Sequence, residues 1–307
     1  MKANRIITFF VCFGMLCNFF GASSQNDNKV ERARIGGISF DEKQQLLLEK
    51  ANIGVYYQFH YFIKNESVLE KRTDTLLLAS GATQSVFLDP TYKEELENNR
   101  KTRIARSRKA KLIYFEHENF NNISELININ SDYKEDDAGD PVQIYKNRNT
   151  GIVSSVYNSY TDNIRCDQKI EQMAYWQIVE EIDTILGYAC QKANLSHAGR
   201  NYTAWFTPEI PISDGPWKFW GLPGLILKVI DEQGLFEWIG IGIHNLNADI
   251  VMDKANYDKA TAIQFRDFID RTTSTVIVSF YNDNVLYFTD KEKTYKKIPI
   301  ELFEENR

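Results

Sequence analysis

The chain has 307 residues, of which 25% are charged and 13% aromatic, with a net charge of −6. That length allows one large domain or two small ones and suffices to bury a sizeable core. The composition is too apolar for a disordered chain and too charged for a multi-spanning membrane protein, and its acidic balance does not favour nonspecific binding to nucleic acid.

Residues 1–24 read as a signal peptide. Lys2 and Arg5 form a positive start, Ile6 to Phe20 an apolar run, and Gly21-Ala22-Ser23-Ser24 a small-residue cleavage site, which makes Gln25 the first mature residue. The run is short for a membrane span of about 20 residues. Cys17 follows Leu16, where a lipobox requires a small residue. Removing Lys2 and Arg5 takes the net charge from −6 to −8. No later stretch reaches transmembrane length, so the mature chain is expected to be periplasmic or otherwise exported, with no transmembrane segment.

Gln25 to Arg34 is polar. Ser39 to Lys50 is expected to hold a short helix capped by Ser39 or Asp41. Ile53–Ile63, Thr73–Ala79 and Gln84–Leu88 read as strands. Pro90 opens a helical stretch to about Lys109, with Glu94, Glu95 and Glu97 near its start and Arg100, Lys101, Arg103, Arg106, Arg108 and Lys109 after them. That polarity complements the helix dipole, or else forms a basic patch for lipid phosphates or another acidic partner. Lys111–Phe115 returns to strand character. Asn119–Pro141 is polar and acidic, but its adjacent Asp136 and Asp137 do not fit a calcium loop.

From Val142 the pattern is nearly all β. Strands are predicted at Val142–Lys146, Ile152–Asn158, Asn163–Ile170, Tyr175–Ile182, Tyr188–Ser196, Asn201–Thr207, Leu225–Asp231 and Leu235–Ile243. Short polar or Gly-bearing turns argue an antiparallel meander. Asp253–Thr272 reads as a second long helix with an apolar stripe, and Thr275–Tyr281 and Val285–Thr289 as late strands. There is no linker and no repeat, so residues 25–307 are expected to form a single domain. Its expected class is α+β: a curved antiparallel β-sheet, a half-barrel-like meander, packed with two or three helices.

Two cysteines remain in the mature chain, Cys166 and Cys190. Export favours a disulfide between them. Consecutive meander strands would instead set them two strands apart, roughly 9.5 Å, beyond the ~7 Å Cα limit. Bonded and free forms both stay open.

Trp217-Lys218-Phe219-Trp220-Gly221-Leu222-Pro223-Gly224-Leu225-Ile226 contains the hexapeptide of the GLPGLI family of exported bacterial proteins. Gly187–Ala193, Gly199–Thr207, Glu209–Ile212 and Ile298-Pro299-Ile300-Glu301-Leu302 also resemble that family, with Ile298 where Asn is expected. The resemblance implies an exported protein of a Gram-negative envelope and no established chemistry. The order Gly221-Leu222-Pro223, a strand ending at Asp231, Gly234 and a further strand also resembles the lipoprotein-carrier (LolA-like) half-barrels, whose curved sheets enclose an apolar cavity.

Pro223 belongs at a strand start or edge, because it donates nothing to a ladder. Structurally, the segment is then a strand entry leading Leu225-Ile226-Leu227 into the core. Functionally, Trp217, Phe219 and Trp220 would form an exposed aromatic lip for a ligand. Trp205 and Arg200 lie near the Pro208–Pro216 loop and complete the candidate binding set, with Arg200 placed to pair with Glu209. No catalytic residue, metal site or cofactor is indicated. His60, His117, His197 and His244 are scattered, and there is no zinc spacing, nucleophile elbow or phosphate loop. The expected function is therefore a non-catalytic binding or accessory protein for an apolar ligand or an envelope protein partner, linked to outer-membrane transport. The alternatives are a hydrolase of unrecognised type acting on envelope peptides or glycans, and a surface-assembly component.

Overall fold

In the computed structural model, residues 32–65, 68–109, 112–116, 134–135, 139–159, 162–170, 175–273, 275–282, 285–292 and 295–302 are described. Residues 1–31, His117 and most of the acidic Asn119–Pro141 segment lie outside them.

Strand alternation builds the sheet. On β3 (Val68–Ser80), Leu76 and Leu78 join one buried cluster while Leu77 and Ala79 join another. The same split divides Phe87 from Val86 and Leu88 on β4 (Gln84–Leu88), and Ile144 from Tyr145 on β7 (Val142–Asn147). These strands are apolar on both sides, so both faces of this part of the sheet are covered.

The remaining strands of the large sheet are β1 (Ala33–Ile35), β2 (Gln45–Asn65), β8 (Ile152–Asn158), β9 (Asn163–Lys169), β10 (Gln177–Ile185), β11 (Tyr188–His197), β12 (Arg200–Thr207), β13 (Leu225–Asp231), β14 (Phe236–Asp253), β15 (Asp258–Lys259) and β18 (Tyr295–Lys297). Their order is β10-β11-β12-β13-β14-β2-β3-β4-β7-β8-β9-β15, with β1 on β14 and β18 on β2. A separate four-stranded sheet has the order β5 (Leu112–Glu116), β17 (Val285–Glu292), β16 (Thr275–Asn282) and β6 (Lys134–Glu135).

This corrects the expected α+β meander with two or three helices. The molecule is dominated by a fourteen-stranded mixed sheet with parallel pairs β1·β14 and β15·β9, and only two α-helices occur among the described residues. The meander breaks between β9 and β10, which lie near opposite ends of the strand order. Two meanders are instead welded where β2 pairs with β14 from Gln45↔Asp253 to Tyr61↔Phe236. The break also separates the cysteines: Cys166 on β9 and Cys190 on β11 are both free and buried. The predicted helix at Ser39–Lys50 is a single 3₁₀ turn, Glu42–Gln44, followed by β2. Its leucines have good helical propensity, but pairing with β14 overrides that weak preference.

Helix α1 (Tyr92–Lys109) carries no apolar stripe; Tyr92 is buried, and Glu97 pairs with Arg100 at 2.6 Å and with Lys101 at 3.6 Å. The side chains of Arg103, Arg106, Arg108 and Lys109 lie outside the description. Helix α2 (Ala262–Thr273) starts nine residues later than the expected helix, because β14 runs on to Asp253 and the short strand β15 (Asp258–Lys259) intervenes. A reciprocal capping box opens it: Gln264 N–H donates to Thr261 Oγ1 at 3.3 Å, and Thr261 N–H to Gln264 Oε1 at 2.9 Å.

The sheet bends around the loop 208–224. From this loop, Phe219 meets the Tyr202 ring of β12 at 4.8 Å, and its backbone carbonyl accepts from Lys146 of β7 at 3.4 Å. Six steps separate β12 from β7 in the strand order, roughly 29 Å on a flat sheet. No side chain spans that distance, so the sheet curves about the loop. Asp214 fixes the loop. It is fully buried, with Lys146 Nζ at 2.6 Å, an Arg148 guanidinium bond and the Ser80 hydroxyl at 2.8 Å. Burial alone would raise the Asp214 carboxyl, but the Lys146 and Arg148 charges outweigh it and hold the group below the ordinary carboxylate range.

Replacing Asp214 by Asn leaves Lys146 buried without its counter-charge and should cost about 3–5 kcal/mol in denaturant unfolding at neutral pH. A depressed carboxyl stabilises the fold above its unfolded pKa and loses that contribution as pH falls, so the gap between the native chain and Asp214→Asn should narrow below about pH 4. A gap unchanged down to pH 2 would contradict the charge origin. At Gly224 an added Cβ would lie 2.1 Å from the Thr207 carbonyl oxygen and 3.0 Å from Pro208 Cα. Gly224→Ala should therefore destabilise by about 1–3 kcal/mol, read as a lowered thermal midpoint.

Candidate functional site

A cleft of about 190 Å³ opens between the sheet, α2 and the segment Lys297–Glu301. Its floor is apolar: Phe59, Leu76, Phe87, Ile144, Trp217 and Trp238. Phe265 and Ile269 of α2 line another wall, beside Ile298 and Ile300. Charged and polar groups stand around the apolar surface, among them Asp89, Asp140, Asp270, Arg266, Gln168 and the pair Lys218–Glu301.

Aromatic stacking makes the floor rigid. Trp217 stacks on Trp238 at 5.9 Å and 16°, Trp238 on Phe59 at 4.7 Å and 12°, and Phe59 on Tyr61 at 5.0 Å and 20°. Phe59, Trp238 and Phe236 come together because β2 and β14 are in register, with Phe59 opposite Trp238. Trp217 arrives from the loop with φ of +49°. A bulky side chain there is an outlier, and such a conformation costs about 1–3 kcal/mol. The surrounding rings hold it in place.

Polar contacts are concentrated at one end. Lys218 Nζ donates to both Glu301 oxygens at 2.8 Å and to Gln168 Oε1 at 2.8 Å. His197 sits behind this pair, with Nε2 3.9 Å from Glu301 Oε1 and its ring edge-on to Trp217. Burial lowers the His197 pKa, which Glu301 partly opposes, so the ring stays neutral at neutral pH. The Cys166 thiol borders the cleft and is pushed up by burial; burial also raises Cys190, to about 11. Neither is a ready thiolate nucleophile. Among the described histidines, His60 bonds Thr73 and His244 lies edge-on to Tyr56, away from the cleft. The described residues include no group of three or more metal-ligating side chains.

The candidate binding residues divide. Trp217, Phe219 and Trp220 are all buried, at 7%, 0% and 5% exposure, and form core rather than a solvent-facing lip. Of the three, only Trp217 borders the cleft. Trp205 is half-buried, with Lys192 at 5.9 Å and Lys228 at 5.0 Å over its ring, and does not line the cleft. Arg200 does not bond Glu209. It donates to the Ile300 and Pro299 carbonyls at 3.0 Å each and to Gln233 at 3.1 Å, with Asp231 at 3.5 Å, while Glu209 accepts from the Ala189 N–H. Arg200 thus holds the cleft's covering segment. Sequence reasoning assigned no role to Lys218, Gln168 or Glu301. The available signal was Lys218 itself, a cation inside an aromatic run, which requires a buried partner.

Trp217→Ala should lower stability by about 3–5 kcal/mol, as for a buried aromatic. Gly normally destabilises more than Ala, but at a positive φ the order reverses. Trp217→Gly should thus melt no lower than Trp217→Ala, and a clearly lower midpoint for the Gly variant would count against the strained backbone.

No curated protein matches the chain. Among solved structures, the chain is similar to PNGF-II in space group P21, with 14% identity, a TM-score of 0.46, and coverage of 76% of this chain and 35% of that one. For PNGF-II in space group C2 the values are 14%, 0.42, 74% and 35%. The chain thus spans about a third of the length of those structures. A family model described as "Protein of unknown function (Porph_ging)" matches residues 197–228. The segment that turns from β12 through the Gly-Leu-Pro-Gly-Leu-Ile hexapeptide into β13 therefore carries the match to the GLPGLI-type family, a family of unknown function.

Proposed function

We propose that this chain is an exported, non-catalytic binding protein whose cleft takes a small ligand with an apolar body. The observation that carries this reading is the stacked floor of Trp217, Trp238 and Phe59 beneath a cleft of about 190 Å³. An apolar cavity of about 150 Å³ is large enough for benzene, so this one suits a single aromatic ring or a short acyl chain. Apolar walls with a few convergent polar groups are the usual make-up of a small-molecule site. Export is supported by the residues of the first 24 positions. The raised Cys166 thiol counts against thiolate catalysis in the cleft, in keeping with a non-catalytic role. A place beside an outer-membrane transport system is a further part of this proposal.

A ligand bound only by the folded state raises the thermal midpoint. Titration with indole should raise it for the native chain. Ile144→Phe, which fills the cleft from its floor, should abolish that rise while the variant still unfolds cooperatively. A native midpoint unmoved by millimolar indole would overturn the reading, as would an Ile144→Phe variant that responds as the native chain does.

A further inference from the structure

The polar end of the cleft identifies the head group of its ligand, an inference that rests on the binding reading above. Lys218, one of three cations lining the cleft with Arg266 and Lys297, is 6% exposed in its side chain, and its ammonium has three donors. Two go to the Glu301 oxygens at equal distances of 2.8 Å, and the third to Gln168. The ammonium therefore sits symmetrically between the oxygens of a carboxylate, 5.3 Å from the centre of the Trp217 ring. A carboxylate joined to an apolar body on the Trp217 floor would meet the same ammonium.

Glu301 belongs to a segment held through its backbone and through Ile298 and Ile300, which pack against the core. After β18 leaves β2 at Lys297, residues 298–302 make no strand pairing. Arg200 holds the Ile300 and Pro299 carbonyls, Tyr202 Oη donates to Ile300 O at 3.2 Å, and Leu302 N–H donates to Ala198 O at 2.8 Å. All of these bonds are made to the backbone. The Glu301 carboxylate meets Lys218 and, at 3.9 Å, His197 Nε2, and is 13% exposed; its departure from Lys218 requires none of these backbone bonds to break.

We propose that Lys218 is the carboxylate-recognition residue of the cleft, that its ligand is a small aromatic or short-chain carboxylic acid, and that Glu301 occupies the head-group position until that acid displaces it. The exchange conserves charge at Lys218: one carboxylate leaves and another arrives. It also makes Glu301 a built-in competitor that lowers the apparent affinity for the acid but not for a neutral analogue.

The test is calorimetric titration of the full chain with 3-phenylpropionate, 3-phenylpropanol and 3-phenylpropylamine. Glu301→Gln removes the competing charge and should tighten phenylpropionate binding about tenfold, with phenylpropanol changed less than twofold. Lys218→Met should erase the preference for the acid over the alcohol. If that variant does not fold, the Glu301→Gln comparison carries the test alone. Equal gains for acid and alcohol in Glu301→Gln, or tighter binding of the amine than of the acid, would overturn the proposal while leaving the apolar cleft as a binding site. No binding of any of the three probes to the native chain or to Glu301→Gln would overturn both.

Discussion

The fold turns on the buried carboxylate of Asp214. The loop 208–224 is long and proline-rich, and its backbone groups have no ladder to join. A loop of that kind normally runs over the surface. Here its stretch from Asp214 to Leu222 is buried inside the curve of the sheet, because Asp214 binds Lys146, Arg148 and Ser80 at once. Lys146 also serves the loop's backbone, donating to the Gly215 and Phe219 carbonyls, while Arg148 donates to the Gly81 carbonyl in the β3–β4 turn at 2.6 Å. Ile226 N–H then bonds Asp214 O at 2.9 Å, and Tyr57 Oη donates to Ile226 O at 2.6 Å. One carboxylate thus sets where β13 begins and how the aromatic residues before it face the sheet. Buried charge pairs gain little net stability over well-packed apolar residues. Their use here is positional: an apolar replacement would fill the volume without fixing which loop residue meets which strand.

Local pattern was legible, and long-range order was not. The predicted strands Gln84–Leu88, Ile152–Asn158 and Leu225–Asp231 match the observed ones at both ends, because each is a short apolar run between turn residues. By contrast β14 continues ten residues past the predicted Ile243, through His244-Asn245-Leu246-Asn247, a polar stretch that its own composition would end. Pairing with β2 carries it through, with register shifts before, within and after that stretch. The separation of β9 from β10 follows from the same pairing. Once β2 and β14 join, the two meanders grow outward from that seam, and Cys166 and Cys190 fall towards opposite ends. No local signal encodes that choice. The capping box Thr261…Gln264 was readable and marks the true start of α2 better than the apolar stripe does.

The candidate site divides along the same line. The aromatic run at Trp217–Trp220 stands out in the sequence, and its burial follows from its apolar character. The partner of Lys218 lies 83 residues away at Glu301, and two of the partners of Arg200 are backbone carbonyls about a hundred residues away. Backbone acceptors carry no sequence signature, and the carboxylate that Arg200 does meet is Asp231 of the neighbouring strand at 3.5 Å, not Glu209.

The two buried lysines show why the cleft and the core differ in kind. Lys146 is enclosed by groups whose positions are fixed by strands and by a loop that the sheet surrounds, so its carboxylate partner has nowhere else to go. Lys218 is nearly as buried, but its carboxylate comes from a segment bonded through backbone atoms, and that side chain retains a path to solvent. Exchange of a partner requires that the departing group be resolvated as the arriving one is desolvated. At Asp214 the departing carboxylate would remain in the core, uncompensated, at the several-kilocalorie penalty that follows loss of a buried partner. At Glu301 it reaches water. Of the two, only the Lys218 pair can trade its anion without opening the core, which is the physical condition for a binding site as distinct from a structural clasp.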